Sequence, residues 1–190
     1  MALSFDRADL SAGCVVHIFN RGNDRSTIFK TESDYHWFLT KAKALSLYQQ
    51  FDVIAYCLMP NHFHYFLRLK TDENISVFFQ RLQLAYAKYF NRKYSKSGHV
   101  FSGPFRSVAL NDFKHFTYLP KYIHLNPVKA KLVERPEDWP FSNFVDLIQE
   151  RETAGIHFYS DTYGDISEYL RFVHSGEDDT SEDFKAITFE

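Results

Sequence analysis

Residues 51–59 (FDVIAYCLM) and 62–70 (HFHYFLRLK) are two strand-type runs separated only by Pro60-Asn61. The first is an apolar run of strand length, and the second alternates with the period of two that belongs to a strand. Pro60-Asn61 is the break between them. A third strand is expected at 13–20 (GCVVHIFN), followed by a turn at Arg21-Gly22-Asn23-Asp24. Thr31-Glu32-Ser33-Asp34 offers helix-capping side chains, and Tyr35, Phe38, Leu39, Ala42 and Leu45 then recur at helical spacing, which predicts a helix over 32–49. A second helix is expected from about Ser76 to Tyr94, with the stripe Ile75, Phe78, Phe79, Leu82, Tyr86 and Tyr89. Residues 99–110 (HVFSGPFRSVAL) read as the fourth strand, with Gly103-Pro104 as a bulge or entry turn. Asp112 can cap a third helix running towards Asn126. Pro120 should kink or restart that helix, and Pro127 should end or bend it. Helices near 141–151 and 165–174 follow. The order strand, helix, strand, strand, helix, strand implies an α+β chain of the ferredoxin-like (βαββαβ) kind, an antiparallel sheet with helices packed on it and C-terminal helices added. That fold hosts many functions, so it names none.

Length and composition narrow the class. The 190 residues suit one domain with a tail, and 45% apolar with 24% charged residues is an ordinary globular balance. The net charge of −2 hides a partition. Residues 1–149 carry a net of +6, and residues 150–190 a net of −8. Only Cys14 and Cys57 occur, which is neither a disulfide framework nor a zinc spacing and fits a reducing cytosol. No apolar run is long enough to span a membrane. Residues 1–13 carry Asp6, Arg7 and Asp9 and lack the apolar run of a signal peptide, so a cytoplasmic location is expected. Gly176 to Phe184 (GEDDTSEDF) reads as a solvated acidic tail.

Three features bear chemistry. His62 and His64 are two apart on a strand, so both imidazoles face one side of the sheet while Phe63 enters the other layer. Two convergent imidazoles can ligate a divalent metal, or they are two partly exposed histidines on a sheet face. Tyr122 and Asn126 are i and i+4, so on a helix they point the same way. Asn126 offers an oxygen suited to Mg²⁺ or Mn²⁺, and Tyr122 a phenol nucleophile. The other reading makes Tyr122 a core aromatic and Asn126 a cap before Pro127. Finally, residues 81–135 hold 11 Lys and Arg against Asp112 and Glu134, with aromatics interleaved, a composition that suits phosphates and unpaired bases. Arg81, Lys88 and Arg92 share one helix face.

The stretch Ala55-Tyr56-Cys57-Leu58-Met59-Pro60-Asn61-His62-Phe63-His64 resembles the His-hydrophobic-His signature of the single-tyrosine transposases, and more closely that of their REP-associated branch. Tyr122 to Ala130 (YIHLNPVKA) resembles the tyrosine helix of that family. Further matches are Phe19 to Arg25, Ser97 to Phe101, Pro104 to Ser107 and Asp138 to Ser142, so the resemblance covers roughly residues 13–150. It implies a metal-dependent transposase that cuts and rejoins single-stranded or hairpin DNA. His62, His64 and Asn126 match the ligands of Mg²⁺ or Mn²⁺, and Tyr122 matches the nucleophile that forms a 5′-phosphotyrosine link. Arg21, Arg81, Lys88, Arg92, Arg106 and Lys129 are the expected DNA contacts. His124 should point away from Tyr122 and is not counted as a ligand. Residues 1–150 would form the catalytic domain, and 151–190 a helical extension with the acidic tail. Mobile relatives are typically dimers that share active sites, whereas members of the REP-associated branch can act as monomers, so the resemblance leaves both a homodimer and a monomer open. The other functions weighed are a non-cleaving, domesticated nucleic-acid binder and an initiator- or relaxase-like nickase.

Overall fold

A computed structural model of the chain describes residues 10–45, 47–72, 75–149, 151, 155–176, 181–186 and 188, with the side chains of 48, 183 and 186 excepted. Strands β1 (Val15–Arg21), β2 (Phe51–Met59), β3 (His62–Leu69) and β4 (Arg106–Ala109) make one sheet in the order β2-β3-β1-β4. Every neighbouring pair is antiparallel, which is the ferredoxin-like arrangement. Pro60-Asn61 closes a two-residue turn with Met59 opposite His62. Proline's fixed φ suits such a corner, and the Pro60 carbonyl accepts from the backbone N–H groups of Ile28 and Phe29 at 2.8 and 2.9 Å.

Alternation along the strands feeds two cores. On one face Val16, Ile18, Phe63, Tyr65 and Leu67 pack against Phe38 of α1 (Glu32–Ala44) and Phe79, Leu82 and Tyr86 of α3 (Ile75–Lys93), all fully buried. Each such side chain contributes about 1.5–3 kcal/mol by burial. On the other face α4 (Phe113–Lys129) crosses β2 and β3. Cys57, Phe66, Leu119 and Ile123 meet Phe144 of α5 (Phe144–Ile148), Tyr159 of α6 (Ile156–Tyr163) and Tyr169 of α7 (Ile166–His174) there. A bulge in β2 between Val53 and Ala55 turns both Ile54 and Ala55 into this second core. The Ile54 carbonyl is taken by Asn143 Nδ2 at 2.9 Å and Tyr159 Oη at 2.8 Å.

Four expectations are corrected. The helix over 32–49 ends at Ala44, and α2 (Leu47–Gln50) is separate; residue 46 lies outside the described residues. The fourth strand is only Arg106–Ala109. Gly98 and Gly103 have φ of 88° and 133°, which breaks the extended run, and Val100, Phe101 and Phe105 fill the first core as a loop. The helix α4 neither restarts at Pro120 nor ends at Asn126 but continues to Lys129. Its two prolines are both buried and seven residues apart, about two turns, so the two missing N–H groups fall on one side of the helix. Packing of Leu119, Tyr122 and Ile123 holds both halves, and Lys121 Nζ donates to the Phe172 carbonyl at 2.7 Å. Lastly, the segment 176–184 is not wholly solvated. Residues 177–180 lie outside the described residues, but in α8 (Glu182–Ala186) Phe184 is buried against α4. Its ring lies 5.9 Å from those of both His115 and Tyr122.

Candidate active site

The α4 face of β3 carries His62 and His64, with ring centroids 5.0 Å apart and nearly perpendicular. Phe63 between them is in the opposite core. Across the hairpin turn, Asn61 holds His62. Asn61 Nδ2 donates to the Arg25 carbonyl at 3.4 Å, which leaves Asn61 Oδ1 to accept from His62 Nδ1 at 2.6 Å. Helix α4 brings in the other two predicted residues. Asn126 Nδ2 donates to the Tyr122 carbonyl one turn back, at 3.1 Å, and this turns Asn126 Oδ1 towards His62 Nε2 at 3.3 Å. Tyr122 is buried, its ring edge-on to His64 at 5.5 Å. So His62, His64, Asn126 and Tyr122 meet within one chain, because α4 docks on its own sheet.

The polarity of this cluster has a consequence. Burial pushes His62 down to about 4, against the Asn126 oxygen, which favours the protonated ring; Arg21 lowers it further. Burial also puts His64 well below the ordinary range, with His62 and His17 adding to it. Both imidazoles are therefore neutral at neutral pH. With its proton on Nδ1, facing Asn61, His62 presents an Nε2 lone pair to the lone pairs of Asn126 Oδ1. Two acceptors facing each other at 3.3 Å repel unless a cation lies between them. Adjacent ligands on an ion with bonds of about 2.1 Å are separated by roughly 3 Å, so the pair fits a small divalent ion. Among the described residues, no group of three or more His, Cys, Asp or Glu side chains is arranged for a metal. The donor set is two imidazoles and an amide oxygen, a mixture that suits Mn²⁺ better than the all-oxygen preference of Mg²⁺.

The basic residues divide between the two sides of the sheet. Arg21 is opposite His62 in the β1–β3 register, and Arg106 is opposite Phe19, which is itself opposite His64. Both arginines therefore lie on the α4 face. Lys129 Nζ lies 5.5 Å from the centroid of the Tyr122 ring. Arg81, Lys88 and Arg92 are exposed on α3, which packs on the opposite face. Lys88 borders a cleft of about 780 Å³ between α3 and residues 98–105. The basic segment 81–135 is thus not one patch, since the strand between its two helices puts them on different layers.

His124 turns into the second core. Its Nδ1 is 2.5 Å from Tyr169 Oη, and its Nε2 3.0 Å from Asn143 Oδ1. Burial lowers it to about 4. Sequence reasoning passed over Asn61 and also His17, which is fully buried with Nε2 3.0 Å from His64 Nδ1. The alternation of β1, which sets His17, Phe19 and Arg21 on one face, was the available signal. It also passed over Phe184, because an acidic tail offers no periodicity.

The profile of the family described as "Transposase IS200 like" matches residues 11–126. A protein of Haemophilus influenzae (strain ATCC 51907 / DSM 11121 / KW20 / Rd), described as a REP-associated tyrosine transposase, is 29% identical over 133 residues, covering 64% of this chain and 74% of its own. A solved structure of a REP-associated tyrosine transposase bound to a REP hairpin superposes with a TM-score of 0.62 at 22% identity, covering 77% of this chain and 86% of that one.

Proposed function

The chain belongs to the IS200-like transposase family, and from that premise we propose that it cuts and rejoins single-stranded DNA beside a hairpin, with Tyr122 as the nucleophile. The observation that carries this reading is the approach of Asn126 Oδ1 to His62 Nε2 at 3.3 Å, because it puts the tyrosine helix and the histidine pair around one point where a divalent cation would fit. The solved relative bound to a REP hairpin supports a hairpin as the DNA partner.

Tyr122 Oη attacks the scissile phosphorus. The new O–P bond forms as the bond from phosphorus to the 3′ oxygen breaks, leaving a 5′-phosphotyrosine and a 3′-OH. The phenolic proton passes to solvent, and the departing 3′ oxygen takes one up. Attack by another 3′-OH reverses the exchange, so rejoining needs no nucleotide cofactor. His62, His64 and Asn126 would hold a divalent cation, which when bound supplies Lewis-acid polarisation of the phosphate. Asn61 keeps the His62 ring in place, and the Asn126 amide ties that ligand to the backbone of the nucleophile itself. Arg21, Arg106 and Lys129 surround the cluster with positive charge for the flanking phosphates. Arg81, Lys88 and Arg92, on the other layer, can engage only a different stretch of the same DNA.

The test is a labelled single strand carrying a hairpin, incubated with the full chain and Mn²⁺. A covalent protein–DNA adduct is expected with the wild type and is lost in Tyr122→Phe, while hairpin binding persists. Tight binding without any adduct, across a series of hairpins, would leave a non-cleaving binding module instead.

A further inference from the structure

His17 occupies the middle of β1, an inner strand of the sheet, opposite Phe66 on β3 and Val108 on β4. It is fully buried, on the same face as the histidine pair. An imidazole in that position gives up its hydration, where a valine or phenylalanine would lose nothing, so its polar atoms need an explanation. One contact bears directly on the histidine pair. His17 Nε2 is 3.0 Å from His64 Nδ1, with the two rings close to parallel at 15° and their centroids 5.2 Å apart. Phe19 stacks on His17 at 4.6 Å and on His64 at 6.0 Å, so the pair is clamped from the side.

Two buried imidazoles that meet nitrogen to nitrogen must share one proton, one ring donating and the other accepting. A histidine that ligates through Nε2 needs its proton on Nδ1, and an acceptor placed at Nδ1 fixes that tautomer and the ring's orientation. His62 already has such an acceptor in Asn61 Oδ1. We propose that His17 performs the same task for His64, accepting from Nδ1–H so that Nε2 is the ligating atom. Both histidines would then be held from behind, one by the hairpin turn and one by the neighbouring strand. His17 is a positioning residue, separated from the reacting atoms by His64. This inference rests on the reading that His62, His64 and Asn126 bind a divalent ion.

The measurement is Mn²⁺ affinity of the full chain without DNA, by calorimetry, for the wild type, His17→Phe and His17→Gln. Phenylalanine keeps the ring shape and removes the acceptor, whereas glutamine restores an acceptor oxygen at about the reach of Nε2. Affinity is expected to fall about 10–100-fold in His17→Phe and to return to within about threefold of the wild type in His17→Gln. Hairpin affinity in EDTA should be unchanged in both. Equal Mn²⁺ affinity in wild type and His17→Phe would overturn the inference alone, as would a glutamine variant as weak as the phenylalanine one. A wild type that binds no Mn²⁺ overturns the metal-site reading and this inference with it. If His17→Phe does not fold, ¹⁵N NMR of the wild-type rings decides the matter. A proton on His64 Nδ1 supports the assignment, and one on Nε2 defeats it.

Discussion

Asp34 illustrates how one side chain can tie a helix start to a helix end. Its carboxylate accepts from the backbone N–H groups of Lys30 and Thr31, at 2.8 and 3.0 Å, and from Lys93 Nζ at 2.6 Å and Tyr94 Oη at 2.7 Å. Burial raises its pKa, but the hydrogen bonds from Lys93, Tyr94, Lys30 and Thr31 outweigh it and hold the group at about 2. The folded value is below the unfolded one near 3.8, so the folded state resists protonation. The stabilisation is complete above about pH 4 and is lost as pH falls towards 2. Replacing a paired, buried carboxylate costs about 3 kcal/mol. Asp34→Asn should show that deficit in urea unfolding at pH 7, and the gap to wild type should shrink between pH 4 and 2. A gap constant across that range would mean that the charge is not what matters. The helix entry at Thr31 to Asp34 was legible as a cap. Its partners were not, because Lys93 and Tyr94 come from a helix about 60 residues away.

The docking of α6 on β2 depends on a glycine for a reason of space. A Cβ at Gly155 would lie 2.7 Å from the Val53 carbonyl oxygen and 2.8 Å from Ile54 Cα, both backbone atoms that cannot swing aside. This is the β2 bulge, whose Ile54 carbonyl is bound by Asn143 and Tyr159. Gly155→Ala should therefore lift α6 and destabilise the chain by about 1–3 kcal/mol, read as a lower urea midpoint with unchanged slope. A midpoint equal to wild type would show that the contact relaxes freely. The runs at 51–59 and 62–70 were legible because alternation is local, and β2 and β3 end within a residue of those limits. The bulge was not, since it is defined by pairing with β3 and by side chains from α5 and α6. The run 99–110 misled because apolar residues that fill a core as a loop have a strand's composition.

Across the whole molecule, charge and packing act on the same helix. Residues 155–174 complete the core beneath α4, through Tyr169 on His124 and Phe172 on Lys121. Beyond them Phe184 rests on the Tyr122 ring. Residues 176–190 carry a net charge of −5, and Phe184 among them packs on the same helix whose face, with Arg21 and Arg106 of the sheet, presents Lys129. Deleting residues 176–190 should tighten hairpin binding at low salt, with the gain shrinking as salt rises, because like charges repel within a screening length of about 10 Å at 0.1 M. Filter-binding affinities that match the full chain at every salt concentration would make the segment a bystander in DNA binding.

Legible in the sequence were the order of the four strands and of α1, α3, α4, α5 and α7, the common face of His62 and His64, and the common side of Tyr122 and Asn126. Each is set by a repeat of 2.0 or 3.6 residues, which needs no knowledge of the rest of the chain. The tertiary structure alone decided that the tyrosine helix passes through two prolines and docks over its own histidine pair. It also decided that the basic segment splits across the sheet, and that His17 and Asn61 stand behind the two imidazoles. These are contacts between residues far apart in sequence, and only the packing of one layer on another brings them together.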